Sequence, residues 1–262
     1  MADGTIGQKK EDGVLTLEIT NPPVNSYTHE MLRQLDDAIL QARFDDETHV
    51  IVITGAMEKF FSAGADINML AKQSLSYKNN FALHGHEVLC RLENTPKLII
   101  AAINGHAIGG GLEISMAADI RIARKDAGRL GLAEVNLGVM PGMGGTQRLP
   151  RLVGKARALE LCVTGKQIAF EEALEMGLIH YIYERENFME QVMDYARQFI
   201  PPNKASLAVG KIKRAIQSGV EVSLAEGLAL EREVLYQTFA SEDGSEGVKA
   251  YLEKRTAKYK GR

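Results

Sequence analysis

Three short runs constrain the fold most: VIVIT at 50–54, LIIAAI at 98–103 and IRIA at 120–123 are apolar or nearly so, and helical patterns separate them. Strands this short and this free of polar alternation are covered on both faces, as in a parallel sheet with helices packed over it. Strands alternating with helices predict an α/β architecture. Between the first two runs, Phe81, Val88, Leu89 and Leu92 mark an amphipathic helix over residues 80–93.

The chain opens with a predicted hairpin. Asp12-Gly13 is a two-residue turn signal, and VLTLEIT sets Leu15, Leu17 and Ile19 against Val14, Thr16 and Glu18. NPPVNSY then breaks regular structure, and Thr28 is read as the N-cap of a helix that carries Met31, Leu32, Leu35, Ile39 and Ala42 on one face as far as Phe44. From about residue 146 the pattern is almost wholly helical, with one strand candidate, LIHYIY at 178–183. Pro201-Pro202 marks a boundary. Beyond it, helical stretches near 203–217, 223–240 and 244–258 carry apolar stripes that a single copy leaves partly exposed, so they are expected to dock on the core or on a neighbour.

Bulk properties remove several classes of function. No apolar stretch reaches the roughly 18 residues needed to cross a bilayer. The segment MADGTIGQKKEDG has few apolar residues and carries acids, unlike a secretory or transit peptide, so a cytoplasmic protein is expected. A net charge of −3 gives no electrostatic reason to bind nucleic acid, and the basic run EKRTAKYKGR is read as a solvated helix end. Cys90 and Cys162 are expected to be buried apolar fillers. His84 and His86 sit two apart on a helix and face different directions, so no metal site is expected.

Three segments offer chemistry. FFSAGADI at 60–67 has little reactive side chain, but its small residues allow the main chain to approach a ligand; taken alone it also fits a plain loop. NGHAIGGGLE at 104–113 puts three glycines between a buried strand and a helix, where free N–H donors and the helix dipole suit an oxyanion; close strand-helix packing is the alternative. It lacks dinucleotide or P-loop spacing. LAEVNLGVMPGMGGTQRLPR at 132–151 sets Glu134 among Leu132, Ala133 and Val135, where burial would raise its pKa. Glu113 and Glu134 form a candidate acid-base pair. Met116, Met140 and Met143 are read as core, with an acyl-pocket wall as the alternative.

Together FSAGADI, NGHAIGGGLE and AEVNLGVMPGMGGTQRLPRLVG resemble, in order and spacing, the motifs of the enoyl-CoA hydratase/isomerase (crotonase) family, and the likeness extends over essentially the whole chain. The resemblance implies a spiral of β-β-α units over residues 1–200 bearing the active site, followed by a helical oligomerisation region over 201–262. It implies a homotrimer or homohexamer, an acyl-CoA substrate and no cofactor beyond the coenzyme A that the substrate carries.

By motif match, the amides of Ala65 and Gly110 form the oxyanion hole, and Glu113 and Glu134 hold the water that adds to a 2-enoyl-CoA. Lys59, Ala63, Asp66, Ile67 and, from a neighbouring subunit, Lys254 are implied to contact coenzyme A. Relatives that only shift double bonds often keep one of the two acids, so both together imply hydration. The chain departs from the family at Asn68, where a lysine is common, at Ala133, where a proline is usual, and around Lys125-Asp126-Ala127-Gly128, which is one residue longer. Other readings are isomerisation, hydration of branched, aromatic-derived or dicarboxylic acyl-CoA, a non-catalytic acyl-CoA or RNA-binding protein, and a serine hydrolase. For the last, no nucleophile-base-acid set is apparent.

Overall fold

The computed structural model describes residues 4–262. Strands β1 (Thr5–Glu11) and β2 (Val14–Thr20) form the predicted hairpin, and Asp12 and Gly13 have φ of 48° and 77°. That left-handed pair is what a two-residue turn needs to match the twist of its strands. Thr28 caps α1 (His29–Phe44) by accepting a hydrogen bond from the Met31 amide at 3.3 Å. The helix buries Met31, Leu32, Leu35, Ala38, Ile39 and Ala42, the stripe that the sequence predicts together with one added alanine.

Then the chain repeats one pattern. β3 (Val50–Gly55) leads to β4 (Phe60–Ser62) and the helices α2 (Ile67–Ala71) and α3 (Leu75–Glu93). β5 (Leu98–Ile103) leads to β6 (His106–Ile108) and α4 (Gly110–Met116). β7 (Ile120–Arg124) leads to β8 (Arg129–Gly131), a 3-10 turn at Glu134–Leu137, and the helices α5 (Gly145–Val153) and α6 (Lys155–Thr164). In each unit the first strand joins one sheet and the second joins another. The result is the expected spiral of β-β-α units.

After β9 (Ile168–Ala169), α7 (Phe170–Glu175) and β10 (Tyr181–Tyr183), α8 (Phe188–Arg197) closes this part. The larger sheet runs β1-β2-β3-β5-β7-β10 and the smaller β4-β6-β8-β9. Strand pairs are parallel from β2 to β10 and from β4 to β8. The large sheet is covered on both faces, as its apolar runs predict. Ile51, Ile53, Ile99, Ala101 and Ile103 belong to the core that includes the α1 and α3 side chains, whereas Val52, Ile100, Ala102 and Ile122 pack with Phe188, Val192 and Ala196 of α8.

The last helices are α9 (Ser206–Gly219), α10 (Leu224–Phe239) and α11 (Glu242–Leu252). Buried Lys213 ties α9 to the sheet through Asp119 at 2.8 Å and the Lys97 carbonyl at 3.0 Å. As expected, apolar side chains on these helices remain exposed, among them Ile212, Ile216, Leu224, Leu235 and Phe239.

Several expectations are corrected. α3 begins at Leu75, because Ser74 accepts from the Tyr77 amide as its cap. The final helix stops at Leu252; the basic tail instead folds back, with the Lys260 and Gly261 amides each donating to the Asp243 carboxylate at 2.7 Å. Of 178–183 only the last three residues form a strand, and Leu178 and Ile179 join the core. Cys90 is exposed, because the buried stripe of α3 passes through Val88, Leu89 and Leu92, and Cys162 is half-buried. Among the described residues, no helix is long and apolar enough to cross a membrane.

Candidate active site

The first wall of the site is the segment after β4. Tyr27 pairs with it as an isolated bridge: its amide donates to the Gly64 carbonyl at 2.9 Å, and the Asp66 amide donates to the Tyr27 carbonyl at 2.9 Å. Bonding through the residues on either side of Ala65 turns the Ala65 amide to the opposite side, away from Tyr27. Gly64 has φ of 90°, and its amide donates to the Ser62 hydroxyl at 3.1 Å. The Asp66 carboxylate is occupied as the cap of α2, accepting from Asn68 and Met69.

Gly109 and Gly110 form the second wall. The Gly109 amide donates to Gly131 at 2.8 Å across the small sheet, and its φ of 56° with ψ of −129° is open only to glycine. Gly110 begins α4, so its amide is one of the free donors of a helix start. A Cβ on Gly64 would stand 2.9 Å from the Gly110 nitrogen. Small residues are required here because the two loops touch. Neither the Ala65 nor the Gly110 amide meets an acceptor among the described residues.

The two acids complete the site. Glu113, on the first turn of α4, is 1% exposed, and its Oε1 accepts from the Met143 and Gly145 amides at 2.7 Å each. Burial pushes its pKa up, while those two amides and Arg148 oppose the rise. Glu134 opens the 3-10 turn, and its buried Oε2 has no hydrogen-bond partner. Burial, with its own backbone amide opposing and the Glu113 charge adding, pushes its pKa up to about 7.

Glu113, Glu134, Ala63, Ala65, Ile67 and Gly110 all line one cavity of about 350 Å³. Most of its remaining wall is apolar, with Leu70, Phe81, Leu137, Met140 and Met143. Two of the three methionines thus line the cavity, and Met116 is core. Larger surface hollows beside α11 and between α3, α5 and α9 contain neither acid.

The structure does not bring every expected residue to the cavity. Lys59 is exposed before β4, Asp66 serves its helix cap, and Lys254 is exposed beyond α11; none lines the cavity of a single chain. Sequence reasoning passed over three residues. Tyr27, 3% exposed, lines the cavity and donates its hydroxyl to the Met143 sulfur at 2.8 Å. Lys78, an exposed residue of α3, lines the cavity at its rim. Arg148 grips the Met143 carbonyl at 2.8 Å. The signal for Tyr27 was a phenol inside a turn of small and polar residues. His106 has a structural place, its ring Nδ1 accepting from the Arg129 amide at 3.1 Å. Among the described residues, no group of three His, Cys, Asp or Glu could hold a metal ion.

Comparison with known proteins gives the family. A family model described as enoyl-CoA hydratase/isomerase matches residues 9–262. The chain belongs to that family. It is 42% identical over 254 residues to a probable enoyl-CoA hydratase of Bacillus subtilis strain 168, covering 95% of each chain. It is 36% identical over 260 residues to a crotonyl-CoA hydratase of Syntrophomonas wolfei, covering 99% of each. A crystal structure of an enoyl-CoA hydratase from Geobacillus kaustophilus HTA426 superposes with a TM-score of 0.95 at 41% identity, covering 97% of this chain and 96% of that one.

Proposed function

We propose that the chain adds water across the double bond of a trans-2-enoyl-CoA, giving a 3-hydroxyacyl-CoA. The observation that carries this reading is the shared cavity, in which two acceptor-free amides stand with one buried and one half-buried carboxyl group.

The thioester oxygen accepts from the Ala65 and Gly110 amides, each worth about 3 kcal/mol as enolate charge develops. Water bonds to C3 and gives its proton to the Glu113 carboxylate, which the Met143 and Gly145 amides favour in its charged form. The C2–C3 electron pair shifts toward the thioester, and C2 takes its proton from Glu134, which is neutral below its pKa of about 7. Proton exchange between the acids and solvent restores the starting state.

The remaining assignments extend this reading. Residues 1–200 form the catalytic core and 201–262 the region through which homotrimers or homohexamers assemble in the cytoplasm, supported by the exposed apolar side chains of α9 to α11. Ala63 and Ile67 contact coenzyme A from the cavity wall, Lys59 and Asp66 from beside it, and Lys254 reaches it from a neighbouring subunit. Coenzyme A enters as part of the substrate, with no other cofactor and no metal.

A panel of enoyl-CoA thioesters of differing length and branching tests the activity by loss of enoyl absorbance. Lys78 at the rim puts thioesters with a terminal carboxylate in that panel. Hydration of at least one member is expected, and failure with every member would overturn the reading.

A further inference from the structure

The loop between the 3-10 turn and α5 holds Glu113 by main chain alone, yet little of the loop could hold itself. Gly142 and Gly144 give it few side chains to pack, and a Cβ on Gly142 would meet nothing within 4 Å. Glu113 nevertheless receives two amides here, Met143 from the loop and Gly145 from the first residue of α5, on a single oxygen. Something outside the loop must set the Met143 peptide.

That partner is Arg148. Its Nη1 donates to the Met143 carbonyl at 2.8 Å, while Nε and Nη2 donate to the two carboxylate oxygens of Glu93 at 2.6 Å each. The paired side chains are only 13% and 29% exposed, and Glu93 is the last residue of α3. A two-pronged pair of this kind fixes the guanidinium plane as well as its place. A side chain on Gly144, whose φ is 104°, would collide with the guanidinium, so the glycine leaves room for it.

We infer that Arg148, locked by Glu93, is the positioning residue that fixes the Met143 peptide and through it the Glu113 carboxylate. This rests on the hydratase reading above. The Met143 carbonyl that Arg148 holds belongs to the peptide group between Met143 and Gly144, and the two amides that donate to Glu113, those of Met143 and Gly145, belong to the peptide groups on either side of it. The groups that bear on Glu113 electrostatically are Glu134 from the 3-10 turn, the Tyr27 phenol, Cys162 from α6 and Arg148. Of these, Arg148 is the one cation, and together with the two amides it counters the effect of burial. Losing it removes both a favourable charge and the geometry of two donors, so the Glu113 proton is held more tightly.

The test compares wild type with Arg148→Gln, Arg148→Lys and Glu93→Gln, first checking each fold by circular dichroism. Arg148→Gln is expected to lower kcat for crotonyl-CoA hydration about tenfold or more with KM nearly unchanged, the mark of a contact that matters in the transition state. The acid limb of its pH profile should move to higher pH. Arg148→Lys keeps the charge without the two-pronged pairing and should fall between, and Glu93→Gln should show the smallest loss. Should Arg148→Gln fail to fold, the Lys and Glu93 variants decide the matter.

An independent readout is the infrared carboxyl band that disappears in Glu113→Gln, which should titrate at higher pH when Arg148 is replaced. If wild type hydrated nothing, the functional reading would fall, and this band would still decide the positioning role. A folded variant with wild-type kcat and an unmoved Glu113 titration would overturn the inference alone.

Discussion

Glu113 lies in the first turn of a wholly buried helix, where two amides converge on one oxygen, whereas Glu134 opens a single 3-10 turn and leaves a buried oxygen without a partner. Burial raises the pKa of both, so burial alone does not distinguish them. Donors do. A carboxylate held by two amides of another segment is suited to hold and deprotonate water in one place, and an acid with only its own amide as donor, near neutrality, is suited to pass a proton back and forth. The lesson is that two like residues in one cavity are given different tasks by the backbone around them.

The comparison can be broken most forcefully by removing either acid. Glu134→Gln and Glu113→Gln are each expected to lose at least about a hundredfold in kcat, the scale of general acid-base catalysis. Turnover near that of wild type in either variant would contradict the division of labour.

Gly109→Ala addresses Glu134 selectively. The new Cβ would stand 2.9 Å from Glu134 Oε1, on a backbone whose φ of 56° already disfavours alanine. A loss of about tenfold or more is expected, following the size of effects from misplaced catalytic groups. Hydration kinetics and a thermal melt on the same sample separate displacement of the acid from unfolding.

Stability sharpens the contrast further. A carboxyl whose folded pKa is raised from 4.5 to about 7 contributes stability that is fully present below pH 4.5 and is lost as pH rises through about 7. Glu134→Gln has no such charge to bury. Its melting midpoint should match wild type near pH 4 and exceed it at pH 8, while an unchanged difference between the two pH values would sink the argument.

The smallest effect is expected from Tyr27→Phe. The hydroxyl packs against Gly110, but its one hydrogen bond is to the Met143 sulfur, so its loss should loosen the Glu113 loop slightly and act less on Glu134. A change of a few-fold in kcat is expected, about the worth of one neutral hydrogen bond. A larger loss, or a moved Glu134 titration, would place the phenol closer to the chemistry.

How much of this was legible in the sequence depends on the length of each signal. β3, β5 and α1 were readable because five or more residues repeat a pattern. β4, β6, β8 and β9 were not, since strands of two or three residues carry no period and arise from pairing between distant segments. The same holds in the site. Small-residue loops and both glutamates announced themselves locally, but Tyr27 meets Met143 across 116 residues and Arg148 meets Glu93 across 55. The tail shows the converse: its basic composition predicted a solvated helix end, and the Asp243 carboxylate instead captures its backbone.

The claim on which the rest depends is that Glu134 exchanges its proton near neutrality. Infrared difference spectra across pH 4 to 9, wild type against Glu134→Gln, read it directly, because an ordinary glutamate titrates near 4.3. A carboxyl band that titrates near pH 7 and vanishes in the variant is the expected result. A spectrum in which the Glu134 band is already ionised by about pH 5, in the ordinary carboxylate range, would contradict it.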